Sequence, residues 1–282
     1  PGPKTSSSEA RALSLLVFSH ANSFPAATYG VLFKSLRSRG FTVRAVDRFG
    51  HDPKYPVTNN WPHLVQQVAD FARTAAAQHT GPVYLVGHSL GGFLSLMVAA
   101  KFPELAQGVV MLDSPVLGGW RAKSLALAKH TGLVGSVSPG AVSRKRRTHW
   151  PHVEAVLAHF QSKKAFARWH PQVLRDYAVF GTHDAQGQRC LSFDRAVETA
   201  IYNSLPHNLD RMLRQHPLQC PVAFIGGDQS AEMKQVGMAM THKVARDRVT
   251  LLPGSHLFPM ESPLETAAAI DAAIRAMPKS GW

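Results

Sequence analysis

The sharpest chemical signal in the sequence is VGHSLGG, residues 86–92, which fits Gly-x-Ser-x-Gly at Gly87, Ser89 and Gly91. It follows an apolar strand pattern, VYLVGHS (83–89), and leads directly into the helical pattern LGGFLSLMVAAKF. Glycines on both sides of the serine permit a sharp turn, which lifts the hydroxyl above the end of a sheet. The following helix adds free N–H groups and a positive dipole end. Ser89 is therefore the candidate nucleophile.

A serine hydroxyl is a weak nucleophile, so it needs a base within reach. His256 lies in the segment LLPGSHLFPMESP (251–263), in a predicted loop after the last predicted strand. The order of a serine followed by a histidine near the end of the chain is one that catalytic triads use. His88 stands beside Ser89, but we expect it to point away from the hydroxyl across the turn and to serve packing.

An acyl-transfer site also needs N–H donors that stabilise a developing oxyanion. The backbone N–H of Leu90, the residue after the nucleophile, is the first candidate. The second is Asn22, in the loop SHANSFPAATY (19–29) that follows the first strand. The Asn22 side chain either caps the next helix or takes part in the site. We favour its backbone N–H as the donor.

The elements that must position these residues alternate between strand and helix up to residue 113 and again after residue 220. Near-continuous apolar strands separated by helices predict a parallel sheet covered by helices on both faces. Between these regions the chain shows several short helical patterns and almost no strand signal. We therefore predict a polar arm at 1–10, an α/β core at 11–113 and 220–282, and a helical cap at 114–219.

Over nearly all its length the chain resembles the α/β-hydrolase superfamily. SHANSFP resembles the HG-x-P oxyanion loop, DRFGHD (47–52) resembles the D-x-x-G-x-G turn, GHSLGG resembles the nucleophile elbow, and GSHLFPMESP resembles the histidine loop. The resemblance implies the α/β-hydrolase fold, a doubly wound and mostly parallel sheet with an inserted helical cap. Two departures matter. Ala21 stands where glycine is usual, and Ser89 stands where epoxide hydrolases and haloalkane dehalogenases use aspartate, which argues against both activities.

The third member of a triad is less clear from the sequence. The family usually places this acid after the strand that follows the cap, where FIGGDQSAEM (224–233) offers Asp228 and Glu232 out of register. A second family solution places the acid at the end of the strand before the cap, and Asp113 closes GVVMLD there. Because a charge at the end of an apolar run costs free energy unless it is used, we rank Asp113 first, Asp228 second and Glu232 third. Capping of the following SPVLGG turn is the alternative role of Asp113.

The balance of charged residues and the cysteine content indicate which partners and which cellular compartment to expect. The chain carries 31 Lys and Arg against 18 Asp and Glu, for a net charge of +13. Its densest basic run, SRKRRTHW (143–150), is interpreted as a solvated helix end or loop, with substrate steering as the alternative. Cys190 and Cys220 are expected to be free thiols in a reducing cytoplasm. We expect no signal peptide, no membrane span, no nucleic-acid partner, no metal and no cofactor.

These residues predict a serine hydrolase that acts on carboxylic esters or related acyl compounds. A carbon–carbon bond hydrolase and a thioesterase on the same triad remain open, as does a non-catalytic ligand-binding protein. The substrate and the oligomeric state are not predicted. Trp120 and Arg121, at the entrance of the cap, are candidates for substrate contact, although a tryptophan there more often packs.

Overall fold

A six-stranded parallel sheet forms the centre of the fold. The protein is described by a computed structural model over residues 14–118 and 146–279. The strands of this sheet are β1 (Leu15–Ser19), β2 (Thr42–Ala45), β3 (Val83–His88), β4 (Gly108–Leu112), β8 (Val222–Gly227) and β9 (Val249–Leu252). They lie in the order β2-β1-β3-β4-β8-β9, and all neighbours are parallel. The observed sheet confirms the predicted doubly wound α/β fold.

Helices cover both faces of the sheet. The helices of the two sheet-bearing segments are α1 (Gly30–Ser38), α2 (Pro62–Ala77), α3 (Leu90–Lys101), α8 (Ala231–Val236), α9 (Ala239–Ala245), α10 (Phe258–Glu261) and α11 (Pro263–Ala276). Strand β1 shows how the two layers arise, because its side chains alternate between the faces. Leu15 and Val17 pack with α2 and α3, whereas Leu16 and Phe18 pack with α1 and α11.

Helix α3, which carries the predicted nucleophile turn at its start, is the most deeply enclosed of these helices. Ten of its twelve residues are buried, including Leu94, Ser95 and Leu96 in succession. A helix that is apolar all round is typical of a buried position. It packs on β1, β3 and β4 and against α2. The start of α3 is therefore fixed by the core rather than by a surface loop.

The segment between β4 and β8 departs from the prediction that strands are nearly absent from it. Its described residues contain the helices α4 (Val153–Gln161), α5 (Pro171–Phe180), α6 (Arg195–Asn203) and α7 (Leu209–Gln215). They also contain a three-stranded antiparallel sheet of β5 (His149–Trp150), β6 (Thr182–Ala185) and β7 (Gln188–Leu191), in the order β5-β7-β6. These strands are two to four residues long, too short to show a clear period of two.

Two helices of the core, α2 and α11, begin without a capping side-chain hydrogen bond. Asn60 does not cap α2. Its Oδ1 instead accepts a hydrogen bond from the N–H of His207 at 3.0 Å, and Trp61 precedes the helix in a left-handed conformation. Ser262 precedes α11 without a capping side-chain bond.

In the described ranges no helix is long and apolar enough to cross a bilayer. The polar arm at 1–10, Trp120, Arg121 and residues 143–145 of the basic run lie outside the described residues.

Candidate active site

Ser89 occupies a strained turn between β3 and α3. Its backbone has φ 52° and ψ −113°, a region that residues with a side chain rarely adopt. The turn is locked by the Ser89 N–H, which donates to the carbonyl of Leu112 at 2.9 Å. A Cβ added at Gly87 would overlap the Gly91 carbonyl, and one added at Gly91 would overlap the Ser19 carbonyl. Both glycines of the motif are thus required by close backbone approach. Ser89 itself is partly buried.

His256 meets the Ser89 hydroxyl from the loop between β9 and α10. Its Nε2 lies 3.0 Å from Ser89 Oγ, and its ring is partly buried. The loop is held by Glu261, whose carboxylate accepts from the Ser255 N–H at 2.9 Å and from the Ser255 hydroxyl at 2.7 Å. The structure therefore places the predicted base within hydrogen-bond distance of the predicted nucleophile.

Asp113 lies on the other side of His256, at the end of β4. Its Oδ1 is 2.7 Å from His256 Nδ1, and it is fully buried. The same carboxylate accepts from the Gly227 N–H at 2.7 Å and from the Ser230 hydroxyl at 2.6 Å. Asp113 also has a positive φ of 48°, so its backbone turns sharply as it leaves the strand. Both oxygens of the buried Asp113 carboxylate accept hydrogen bonds, and one of the partners is the imidazole of His256.

The two other candidate carboxylates have different surroundings. Asp228 Oδ1 accepts from the N–H of Gly254 at 3.0 Å and thereby ties the β8 turn to the β9 turn. Glu232 lies closer to the histidine, with Oε2 3.8 Å from His256 Nδ1 and 3.4 Å from the Ser230 hydroxyl. Its side chain is 46% exposed, against 0% for that of Asp113. Of the three carboxylates, Asp113 makes the short contact with the imidazole.

Burial and hydrogen bonding act in opposite directions on the pKa values of Asp113 and His256. Burial alone would raise the pKa of Asp113, but hydrogen bonds and charge from His256, together with the Gly227 and Ser230 bonds, hold it below its usual value. Burial would lower the pKa of His256, but the hydrogen bond and charge of Asp113 and the charge of Glu232 raise it above its usual value. Asp113 is thus ionised at neutral pH, and the site favours the imidazolium form.

The two predicted oxyanion donors lie at the start of α3 and in the loop that follows β1. Leu90 is the first residue of α3, where an N–H has no helical carbonyl to bind. Asn22 lies in the oxyanion loop, defined here as residues 20–24, between β1 and the helical turn Ala26–Tyr29. Its side-chain Nδ2 donates to the carbonyl of Glu198 in α6 at 3.1 Å. The side chain therefore fastens the loop to the inserted segment, which leaves the backbone N–H as the candidate donor.

His88 and Tyr29 form contacts that are not evident from the sequence. His88 is completely buried, and burial together with the nearby His256 lowers its pKa to about 3, so it is neutral. Its Nε2 lies 2.8 Å from the carbonyl of His256, so this nitrogen carries the proton and donates. Its Nδ1 then accepts from the Tyr29 hydroxyl at 2.8 Å, and that hydroxyl accepts from the Ala21 N–H at 3.0 Å. A polar chain thus joins the oxyanion loop to the histidine loop.

Asp113, Glu232 and His256 also form a group of ligand-type atoms within 4.8 Å of one another. In this group His256 Nδ1 faces Asp113 Oδ1 at 2.7 Å, and Asp113 is further bound by the hydroxyl of Ser230. His256 Nδ1 thus carries a proton that Asp113 accepts, and the Asp113 carboxylate is directed at hydrogen-bond donors. Metal ligands would instead direct their lone pairs at one common point.

Comparison with known proteins agrees with the fold. The chain belongs to the alpha/beta hydrolase family, whose sequence model matches residues 16–269. A serine hydrolase-like protein from Dictyostelium discoideum is 25% identical over 286 residues, which cover 93% of this chain and 73% of that protein. The 2-(acetamidomethylene)succinate hydrolase from Mesorhizobium japonicum is 36% identical over 103 residues, or 35% of each protein.

A solved structure extends this likeness over the whole fold. The crystal structure of E-2-(acetamidomethylene)succinate hydrolase superposes with a TM-score of 0.71 at 27% identity, covering 93% of this chain and 92% of that one. The family and these relatives support a hydrolase activity for the chain.

Proposed function

We propose that the protein is a serine hydrolase that cleaves carboxylic esters or related acyl compounds through an acyl-enzyme. The observation that carries the proposal is the unbroken line of hydrogen bonds from the Ser89 hydroxyl through His256 to Asp113, at 3.0 and 2.7 Å. Ser89 also lies on a strained turn at the start of a buried helix and is only partly buried.

In the first half of the reaction, Ser89 Oγ attacks the carbonyl carbon of the substrate while His256 Nε2 takes the hydroxyl proton. The negative charge that forms on the carbonyl oxygen is stabilised by the N–H groups of Leu90 and Asn22, each contributing roughly 3 kcal/mol. Collapse of the intermediate breaks the bond to the leaving group, which receives the proton from His256. Asp113 holds the imidazole with its proton on Nδ1 and stabilises the imidazolium.

In the second half, water takes the place of the leaving group. His256 Nε2 removes a proton from the water as its oxygen attacks the acyl carbon, and the same proton then returns to Ser89 Oγ. The products are the carboxylic acid and the free enzyme. Neutral His88 keeps the His256 carbonyl fixed through both halves without offering a second base, because its Nδ1 is bonded to Tyr29.

The test is hydrolysis of short-chain p-nitrophenyl esters by the wild type, by Ser89→Ala and by a matched control, Ser38→Ala. Ser38 is an exposed serine at the end of α1, so its change leaves the site intact. We expect Ser89→Ala to lose on the order of 10⁶ in kcat and Ser38→Ala to match the wild type. Equal rates in Ser89→Ala and the wild type would refute the proposal.

A panel of acyl compounds separates the proposed ester hydrolase from its alternatives. Thioesters test a thioesterase, and dienoic ring-cleavage products test a carbon–carbon bond hydrolase. The acetamido group in the substrate name of the related succinate hydrolase supports adding amides to the panel. Labelling of Ser89 by a fluorophosphonate probe is expected. Absence of labelling, with no turnover of any compound, would instead indicate a non-catalytic ligand-binding protein.

A further inference from the structure

His20 is a buried histidine of the oxyanion loop that the proposed reaction does not use. Its exposed fraction is 0%, and its ring contacts two phenylalanines, with centroid distances of 4.6 Å to Phe49 and 5.9 Å to Phe193. Phe49 lies in the loop after β2, and Phe193 lies in the segment inserted between β4 and β8. The imidazole is therefore closed off from solvent by both parts of the fold.

Two hydrogen bonds determine which nitrogen of His20 carries the proton. The Phe49 N–H donates to Nε2 at 2.9 Å, so Nε2 is the unprotonated nitrogen. Nδ1 lies 2.7 Å from the carbonyl oxygen of Ala21, which can only accept, so Nδ1 carries the proton and donates. Burial lowers the pKa of His20 to about 4, so the ring is neutral at neutral pH. His20 is thus a fixed donor to the Ala21 carbonyl.

The Ala21 carbonyl belongs to the peptide group that also carries the Asn22 N–H. The described residues contain no cis peptide bond, and in a planar trans peptide the C=O and the N–H point in opposite directions. Because His20 holds the oxygen on its own side, the Asn22 N–H is turned to the other side. Within the described part of the chain this N–H donates to no other backbone group, so it is available to an oxyanion.

The bond from His20 differs from the other bond to the same carbonyl in where it is anchored. The Phe24 N–H also donates to the Ala21 oxygen, at 3.2 Å, but Phe24 belongs to the same turn, so this bond moves with the turn. The ring of His20 is instead held by the Phe49 N–H, in a separate loop of the core. His20 therefore fixes the tilt of the peptide relative to the sheet.

This peptide lies close along the chain to the contact between β1 and the nucleophile turn. Strands β1 and β3 are parallel neighbours, and a Cβ added at Gly91, near the start of α3, would overlap the carbonyl of Ser19 at the end of β1. The peptide between Ala21 and Asn22 follows shortly after that point. A group that stabilises a transition state loses on the order of 100-fold in rate when it is misplaced by about 1 Å, so the tilt of this peptide matters.

We propose that His20 is a positioning residue of the oxyanion hole, and that its Nδ1–H bond to the Ala21 carbonyl directs the Asn22 N–H at the developing oxyanion. This inference rests on the proposed function, because it concerns the same site. His20 itself touches no reacting atom. It acts through the peptide group that it orients.

Two amide side chains separate the two hydrogen bonds of His20. The amide nitrogen of asparagine is bonded to Cγ, as Nδ1 is, so His20→Asn keeps a donor for the Ala21 carbonyl and loses the acceptor for the Phe49 N–H. The longer amide of glutamine reaches the place of Nε2, so His20→Gln keeps that acceptor and loses the donor. The matched control is His63→Gln, at an exposed position of α2.

We expect His20→Gln to lose about 10- to 100-fold in kcat for p-nitrophenyl esters with little change in KM, because the oxyanion contact forms only in the transition state. His20→Asn should keep kcat within about threefold of the wild type, although it is the less stable variant by chemical denaturation, since it leaves a buried N–H unbonded and a cavity beside the phenylalanines. His63→Gln should match the wild type in both measurements. Activity and stability then fall in opposite order in the two variants of His20, which a merely structural role does not produce.

Two further measurements do not depend on turnover by the variants. An alkyl trifluoromethyl ketone that adds reversibly to Ser89 places a charged oxygen in the oxyanion hole, so its Ki should weaken in His20→Gln by the same factor as kcat/KM and stay unchanged in His20→Asn. In the unaltered protein, ¹⁵N NMR of the histidine side chains should show His20 with its proton on Nδ1.

Three results would overturn the inference while leaving the ester hydrolase standing. They are a kcat in His20→Gln equal to that of the wild type, a loss in His20→Asn as large as that in His20→Gln, and a His20 proton on Nε2. Failure of the proposed function is recognised separately, by a wild type that hydrolyses no acyl compound and takes no fluorophosphonate label at Ser89, and the inference then fails with it.

Discussion

Replacement of Asp113 by asparagine is the sharpest test of the proposed triad, because it changes one atom in a fully described set of contacts. Asp113 Oδ2 accepts from the Gly227 N–H, while Oδ1 faces both the Ser230 hydroxyl and His256 Nδ1. An amide has one oxygen and one NH₂ group, so it must choose which of the two positions becomes a donor.

The contacts of Asp113 indicate which orientation the side-chain amide adopts after the substitution. If the NH₂ group faced the Gly227 N–H, two buried donors would oppose each other, at a cost of about 1–3 kcal/mol. If it faces the other way, the Ser230 hydroxyl can rotate to accept, and His256 Nδ1 must accept as well. The imidazole proton then sits on Nε2, toward Ser89, where it blocks proton transfer from the nucleophile. We therefore expect a loss of about 10⁴ in kcat with the fold intact.

The assay is kcat for p-nitrophenyl ester hydrolysis in Asp113→Asn, Asp228→Asn and Glu232→Gln, each checked for folding by chemical denaturation. Asp228 bonds the Gly254 N–H on the neighbouring turn, so its variant reports general damage near the site. A value for Asp113→Asn within tenfold of the wild type, or a larger loss in Asp228→Asn, would refute the assignment of Asp113.

Three further outcomes follow from the contacts of the site. The rate kcat/KM should rise with pH as His256 loses its proton, with a midpoint above the usual histidine value, and Glu232→Gln should move that midpoint to lower pH because it removes one of the charges that raise the pKa. Tyr29→Phe should cost about 1–3 kcal/mol of unfolding free energy by denaturant titration, since it leaves His88 Nδ1 without its donor, and should lower kcat. Gly91→Ala should lose about 3 kcal/mol or more of stability, seen as a lowered Tm or as insoluble protein, because its Cβ overlaps a backbone carbonyl of β1.

The parts of the fold and site that the sequence predicts are those set by local chain geometry. At the turn of Ser89, Gly87 is required by the close approach of the Gly91 carbonyl within the same turn, and the strand–helix alternation around this turn has a clear period. The parallel sheet and the family follow from the same signals, and both are confirmed. His256 is predicted as the base from its position after the last predicted strand. The structure shows that this position is the loop after β9.

Contacts between distant segments are what the sequence does not reveal. His88 was expected only to pack, whereas it accepts a hydrogen bond from Tyr29 and donates one to the carbonyl of His256, 168 positions further along the chain. The Arg146 and Glu198 pair joins a loop to a helix 52 positions later. In each case the residue type allows either a surface or a buried role, and only tertiary packing decides between them. The small sheet of the inserted segment was missed for a related reason, since its strands are too short for their pattern to outweigh that of the neighbouring helices.

The arrangement around Asp113 explains why the usual acid position after β8 holds no carboxylate in register. Strand β4 pairs directly with β8, so the ends of both strands lie side by side at the same edge of the sheet. The turn after β8 supplies an N–H from Gly227 and a hydroxyl from Ser230, both of which point at the carboxylate that arrives from β4. A carboxylate at position 230 would face Asp113 at hydrogen-bond distance, and two like charges there would disfavour ionisation of both. When the acid follows β4, the turn after β8 therefore has to supply hydrogen-bond donors rather than a second carboxylate. Ser230 supplies such a donor, because its hydroxyl bonds Asp113 Oδ1 at 2.6 Å.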